Sequence, residues 1–242
     1  MLKKYNLVPS IYTHRETTVP WTHWDATFGL SLIALFLMGS IFVSAVWRNH
    51  DGMTTPIFLT FALMIMPGIM IFVAWRLSIK RYKVSWATLG FRSPHGRFSL
   101  MFSIAALLLS IGFGIVYVRV TTMIGIDLLI PPNFQKTYLG EMPLEFANLI
   151  TIIILGPLGE EVFYRAFLLG ALIKSTGTIR AIAISSIIFA VSHISLGVIL
   201  PFFISGVLLS FLYIRTKSIW PPLVAHSMQN LLAVITIYLS PI

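Results

Sequence analysis

Three ionisable residues interrupt an apolar stretch in the second half of the chain. The segment GPLGEEVFYRAF, residues 156–167, carries Glu160, Glu161 and Arg165 among hydrophobic neighbours. An ionisable side chain at membrane depth costs several kcal/mol unless it is paired or faces a wet cavity. Glu161 and Arg165 stand four residues apart, so on a helix they share a face and can pair. Glu160 points about 100° away from Glu161 on the helical wheel and has no local cation. We therefore expect Glu160 to be the working carboxylate, with Glu161 and Arg165 as its structural support.

Two later apolar stretches also carry polar side chains. His193 lies in one of them, and His226 and Asn230 lie in the other, again four residues apart. Measured along a helix from the nearest basic residue, Glu160 and His193 lie about 21 and 20 Å deep. His226 and Asn230 lie about 14 and 20 Å deep by the same estimate. Similar depths on three separate segments predict one shared intramembrane site.

These residue types fit the hydrolysis of a peptide bond without a covalent nucleophile. A carboxylate and an imidazole can act as a general base on water and later return the proton. A second histidine and an asparagine amide can donate hydrogen bonds to a developing oxyanion. The sequence has no HExxH helix motif, and it lacks the GxSG and GxGD motifs of serine-type and aspartyl-type intramembrane proteases.

The three polar segments form motifs in a fixed order. Residues 160–165 read EExxxR, residues 189–193 read FxxxH, and residues 226–230 read HxxxN. In this order and spacing the chain resembles the CPBP family of CAAX proteases and bacteriocin-processing membrane proteins, also called Abi proteins or type II CAAX prenyl endopeptidases. The resemblance implies an intramembrane endopeptidase of about eight helices with its catalytic core in residues 147–239. It also implies that Glu160 with His193 activates water, and that His226 with Asn230 forms the oxyanion hole.

Three alternatives remain open from the sequence. The same cluster could hold helices together in a non-catalytic bacteriocin-immunity or scaffold protein, because membrane ion pairs and asparagine hydrogen bonds also stabilise folds. A transporter with a site at the membrane midplane is a second alternative, although no inverted repeat is evident. Glu160, His193 and His226 could instead form a zinc site with an open position for water. We expect no cofactor, with zinc kept as the alternative.

Composition places these motifs in a membrane. Of the 242 residues, 57% are hydrophobic and 10% are charged, whereas about a quarter of a soluble domain is charged. Because a helix needs about 20 apolar residues to cross a bilayer, we predict an all-α, multi-pass transmembrane bundle of seven spans, or eight if the loop 120–146 re-enters the membrane. The predicted spans are 27–47, 56–75, 99–119, 147–173, 180–197, 199–214 and 219–239. Residues 1–26 are predicted to form a cytoplasmic N-terminal segment, and residues 27–242 a single membrane domain.

The charges predict the orientation and the partners of the chain. The net charge is +9, and the basic residues lie between apolar runs, as the positive-inside rule expects. This distribution argues against nucleic acid as a partner and favours the lipid bilayer and a membrane-associated protein or peptide substrate. The chain has no cysteine, so disulfides are excluded. The loop 76–98 has six basic residues and no acid, which predicts that it faces the cytoplasm. The protein is accordingly predicted to lie in the cell membrane.

Counting spans from that loop predicts a cytoplasmic N-terminus and an external C-terminus. Topology reporters fused at residue 88 and at residue 242 should therefore report opposite sides of the membrane. If both reporters lie on the same side, the number of spans is wrong, and the loop 120–146 is the first place to search for the missing crossing.

Overall fold

The computed structural model describes residues 19–48, 55–94, 96, 99–132 and 139–239. Most of the predicted cytoplasmic segment, part of the loop 120–146 and the last three residues therefore lie outside the described residues. Throughout the described part, the regular structure is helical. Its long helices are α1 (His23–Arg48), α2 (Thr55–Trp75), α3 (Ser99–Ile124), α4 (Leu144–Thr176), α5 (Thr178–Val191), α6 (Leu196–Thr216) and α7 (Trp220–Leu239).

Six of these described helices, all except α5, are long and apolar enough to cross a membrane. Large hydrophobic side chains cover the outside of the bundle, and only 11% of the most apolar window of α3 is buried inside the protein. An outward apolar surface of this kind is suited to lipid, since lipid tails solvate hydrocarbon side chains as well as a protein core does. The predicted multi-pass helical bundle is confirmed.

The predicted span 180–197 is wrong in its bounds. Helix α5 ends at Val191 and has 14 residues, a length of about 21 Å. That is shorter than a hydrocarbon core of about 30 Å. After α5 the chain turns sharply, with a positive φ of 54° at Ile194, and α6 begins at Leu196. His193 therefore lies in a turn between two helices, whereas the sequence placed it inside a span.

Helix α4 lies at the centre of the bundle and is irregular along its length. It alternates between α-helix and two π-helical segments, Thr151–Leu155 and Glu161–Leu169. The residues of the second π segment are almost completely buried. The indole of Trp21 donates a hydrogen bond of 2.9 Å to the carbonyl of Phe167 in that segment. Trp21 belongs to the predicted cytoplasmic segment 1–26, but the structure packs it against α4 just before α1 begins.

Small residues allow the helices around α4 to approach closely. Gly159 of α4 lies against Pro67 of α2, where an added Cβ would stand 2.6 Å from the Pro67 Cα. Gly206 of α6 faces Ser186 of α5, where an added Cβ would stand 3.0 Å from the serine Cβ. Glycine and serine at helix contacts let backbones pack tightly in membrane proteins. The contact at Gly159 is adjacent to Glu160 and so fixes the depth and rotation of that residue.

Gly159→Ala should destabilise the protein by about 1–3 kcal/mol, because the new methyl group meets the backbone of α2 rather than a side chain that can move. Thermal unfolding of the purified protein in detergent measures the effect. Gly112→Ala on α3 is the matched control, since no other helix or loop of the described structure comes within 4 Å of its added Cβ. The control should be neutral or slightly stabilising. Equal unfolding midpoints for the two variants would contradict the close contact.

Candidate active site

The predicted polar residues come together from three parts of the fold. Helix α4 contributes the two glutamates and the arginine, the turn after α5 contributes His193, and α7 contributes His226 and Asn230. The α4 and α7 residues are in direct contact through their side chains. His193 joins them through Phe189, whose ring contacts the imidazoles of both His193 and His226.

Glu161 is the most enclosed member of the cluster. Its side chain is completely buried, and one carboxylate oxygen, Oε1, lies 3.2 Å from Nη1 of Arg165. This contact is an ion pair without hydrogen-bond geometry, because neither terminal nitrogen of Arg165 has a hydrogen-bond partner among the described residues. The guanidinium also lies over the ring of Phe189, 4.2 Å from its centroid. The aromatic face thus gives the buried cation a second favourable contact.

His226 lies between the two glutamates. Its Nδ1 is 2.8 Å from the Glu161 Oε1 atom, and its Nε2 is 3.6 Å from Oε2 of Glu160. The same Oε1 atom faces Arg165, which can only donate, so an ionised Glu161 accepts a hydrogen bond from Nδ1 of His226. Spacing along the sequence predicted the Glu161–Arg165 contact but could not show that Glu161 also orients a histidine from α7.

The two adjacent glutamates differ sharply in exposure. The Glu160 side chain is 23% exposed, whereas that of Glu161 is 0% exposed. In the described residues no cation of Lys or Arg lies within ion-pair distance of Glu160. Glu160 is therefore the carboxylate that a water molecule or a substrate can reach, and Glu161 is held inside the protein.

The histidine in the turn is fixed by one backbone contact. Nδ1 of His193 lies 2.8 Å from the carbonyl oxygen of Phe189. A carbonyl can only accept, so Nδ1 carries the hydrogen and the neutral ring keeps a free lone pair on Nε2. The His193 ring packs edge-on against Phe202 and Phe189, with centroid distances of 4.3 and 5.0 Å.

Phe189 is a site residue to which the sequence reasoning assigned no role. Its ring contacts both imidazoles, with centroids 5.0 Å from His193 and 5.8 Å from His226, and Arg165 lies over its face. It is 2% exposed. Its presence in the FxxxH motif was the available signal, but a phenylalanine in an apolar stretch is indistinguishable from any core residue.

Asn230 contacts the backbone of α4. Its Nδ2 donates a hydrogen bond of 2.8 Å to the carbonyl of Ile152, which lies in the first π-helical segment. A π segment disturbs the regular ladder of helix hydrogen bonds, so its carbonyls are available to outside donors. One amide hydrogen of Asn230 is thus used to join α7 to α4, and the second remains available for other partners.

No group of three or more His, Asp or Glu side chains in the described part of the chain is arranged to hold a metal ion. Nδ1 of His226 faces Glu161, and Nδ1 of His193 faces a carbonyl, so each ring would have to bind a metal through Nε2. Whether the chain binds zinc stays a prediction, to be tested by measuring its metal content.

Arg165→Ala should lower the stability of the fold, because Glu161 loses its cation while it remains buried. Removing one partner of a buried pair costs about 3–5 kcal/mol, and the remaining His226 contact favours the lower end of that range. Thermal unfolding in detergent and the yield of monodisperse protein measure the loss. Arg180→Ala, which removes an exposed arginine at the start of α5, is the control. Wild-type stability of Arg165→Ala would show that Glu161 does not need this cation.

Comparison with known proteins agrees with the geometry. Residues 142–232 match the family model described as type II CAAX prenyl endopeptidase Rce1-like. The chain is 43% identical over 82 residues to a Bacillus subtilis (strain 168) protein named as a membrane peptidase, YdiL, covering 34% of each chain. It is 31% identical over 170 residues to the membrane-embedded CAAX protease MroQ of Staphylococcus aureus (strain USA300), covering 67% of this chain and 61% of MroQ. The matches thus span about a third and about three fifths of these relatives. No solved structure gives a significant match.

All of the predicted site residues lie inside the region that matches the family model. The resemblance inferred from the three motifs is confirmed, because residues 142–232 match a family model of the CPBP/CAAX type and both relatives are named as membrane peptidases or proteases.

Proposed function

We propose that this chain is an intramembrane endopeptidase that hydrolyses peptide bonds in membrane-associated proteins or peptides. The observation that carries the proposal is the contrast between the two glutamates. Glu160 is accessible and has no Lys or Arg partner among the described residues, while its neighbour Glu161 is sealed in a network with Arg165 and His226. A working carboxylate beside a buried supporting network is the arrangement that a positioned general base requires.

In the proposed reaction, Glu160 takes one proton from a water molecule, and the water oxygen attacks the scissile carbonyl carbon. Nε2 of His193 accepts a hydrogen bond from the other water hydrogen, which its tautomer allows because Nδ1 already donates to Phe189. The carbonyl electron pair moves to oxygen and forms a tetrahedral intermediate. When the intermediate collapses, the C–N bond breaks and the proton held by Glu160 passes to the leaving nitrogen.

His226 and Asn230 supply the proposed oxyanion hole. With Nδ1 donating to Glu161, His226 can donate from Nε2 only as an imidazolium, and Glu161 is then its counter-ion. Asn230 donates its second amide hydrogen, since the first is bound to Ile152. Donors held in place before the reaction stabilise the developing charge without reorganising. The hydrogen bonds to Glu161 and Ile152 provide that preorganisation.

A structural role for the same cluster is the second candidate. It is favoured by the Asn230 contact with Ile152, which joins α7 to α4 whether or not any reaction occurs. A non-catalytic immunity or scaffold protein would use the buried Glu161 network in the same way. The two candidates differ in what they require of Glu160, whose one ion-pair contact among the described residues is the 3.6 Å approach to His226.

Glu160→Gln should leave the fold intact and abolish cleavage, because the amide cannot accept a proton. Membrane-peptide profiles of cells that express the wild-type or the Glu160→Gln protein should differ in specific cleavage products, and His193→Ala should give the same loss. Asn230→Ala should slow cleavage by about 10²–10³-fold if the amide is an oxyanion donor. Identical profiles for wild type and a well-folded Glu160→Gln protein would support the scaffold candidate.

A glutamate mechanism also predicts independence from metal. Protein purified with its activity, treated with a strong chelator and then separated from it should still cleave the identified substrate. Elemental analysis of the same sample provides the control for complete removal. One zinc per chain, with activity lost on chelation and restored by added zinc, would overturn the mechanism and make Glu160, His193 and His226 metal ligands.

A further inference from the structure

A cleft separate from the catalytic cluster lies between the ends of two helices and a loop. The cleft is narrow, with room inside for little more than one water molecule, and it opens to solvent between the last turns of α4, the last turns of α6 and the loop that follows α2. Its α4 wall begins at Gly170, ten residues after Glu160 and therefore about 15 Å along the helix. None of the proposed catalytic residues lines it.

Two cations face this cleft from different elements. Arg92 comes from the loop after α2, and Lys217 is the residue that directly follows α6. Among the described residues neither one has a carboxylate partner, and no aspartate or glutamate lines the cleft. Two basic residues without a carboxylate partner at one cleft favour the binding of an anion there.

The position of the arginine is fixed by the surrounding backbone. Nε of Arg92 donates a hydrogen bond of 2.5 Å to the carbonyl of Lys217, and the Ser218 hydroxyl donates one of 2.6 Å to the carbonyl of Arg92. The Ile219 amide donates to the carbonyl of Gly90 at 2.9 Å. Among the described residues only Nε of the arginine has a hydrogen-bond partner, so its terminal Nη groups are left for a ligand, and a guanidinium fork of this kind matches a phosphate.

The rest of the lining is mostly apolar. Val19, Ile173 and Ile214 form hydrocarbon walls, and Thr88 adds a hydroxyl beside the arginine. The neighbouring ends of the same helices carry further basic residues, Lys174 on α4 and Arg215 on α6. A free inorganic anion gains no binding energy from apolar side chains. An anionic lipid does, because it has a hydrocarbon tail beside its charged head.

We propose that the mouth of this cleft binds the phosphate of an anionic phospholipid, with Arg92 and Lys217 contacting the phosphate and the first acyl carbons lying along the half-buried side chains of Ile173 and Ile214. Basic pockets between transmembrane helices are known to hold such head groups. The bound lipid would join α4, α6 and the loop after α2 from outside the protein. The inference does not depend on the proposed protease function.

The test measures lipid binding to the full chain purified in detergent. The probe is dioctanoyl phosphatidylglycerol, and dioctanoyl phosphatidylcholine, whose choline compensates the phosphate charge, is the comparison. Thermal stabilisation as a function of lipid concentration gives the affinity for each. Phosphatidylglycerol should bind several-fold more tightly than phosphatidylcholine, since two cations act on its uncompensated charge.

Lys217→Asn is the informative variant, because it removes one cation and keeps the backbone carbonyl that Arg92 contacts. Asparagine also tolerates the positive φ of 51° at this position. The substitution should weaken phosphatidylglycerol binding about fivefold, and Lys217→Arg should restore it. Lys80→Asn is the matched control, since Lys80 is an exposed lysine at the end of the π turn after α2 and does not line the cleft. The control should bind the lipid like wild type.

Three results would overturn the proposal. Equal affinity for the two lipids would show that binding does not depend on the net negative charge of the head group. An equal loss in Lys217→Asn and Lys80→Asn would show a diffuse positive field rather than a site. Stabilisation by inorganic phosphate at the same concentrations, with displacement of the lipid, would show that the site binds phosphate alone. If Lys217→Asn proves unstable without lipid, Thr88→Val provides a second variant that removes a polar contact of the same cleft and should weaken binding.

Discussion

The burial of Glu161 is the constraint on which the polar centre of this protein depends. A carboxylate removed from water is strongly destabilising unless charges and hydrogen bonds replace its hydration. Arg165, one turn along α4, supplies the charge, and His226 on α7 supplies the hydrogen bond. Both contacts are made by Oε1, whereas Oε2 has no hydrogen-bond partner among the described residues. Because one contact is within a helix and the other is between helices, they also restrain how α7 lies against α4. The position of His226 beside Glu160 is a consequence of that requirement.

The irregularity of α4 serves the same centre. A regular α-helix satisfies its backbone internally, but the π segments of α4 receive hydrogen bonds from outside, from Asn230 at Ile152 and from Trp21 at Phe167. These two donors lie on either side of the glutamates, one on the last helix and one before the first. π segments are rare and are found often at functional sites. Here they allow distant parts of the chain to hold one helix through its backbone.

The aromatic residues complete the enclosure without adding charge. Phe189 touches both imidazoles and lies under the guanidinium of Arg165, so one ring restrains three side chains of the cluster. Phe202 stacks on Phe189 and packs edge-on against His193. Rings of this kind exclude water from the buried part of the cluster, and Glu160 remains open beside them. Exposure of one carboxylate and enclosure of the other therefore arise from the same packing.

The sequence by itself determined the composition of the bundle and the list of candidate residues. Apolar runs specify membrane helices because the bilayer requires a fixed length of hydrocarbon, and most helices agree with the predicted spans within a few residues. The pairing of Glu161 with Arg165 could also be predicted from the sequence, since the two residues are four positions apart on one helix. The early end of α5 was not predicted, although residues 192–195 (SHIS) are more polar than the helix before them. Single polar residues also occur inside membrane helices, and a turn at this point depends on how α5 and α6 pack. The link from Glu161 to His226, the bond from Asn230 to Ile152 and the shared ring of Phe189 were decided only by the tertiary structure. Distances between side chains on different helices depend on how the helices cross and rotate, and spacing along one chain carries no measure of that.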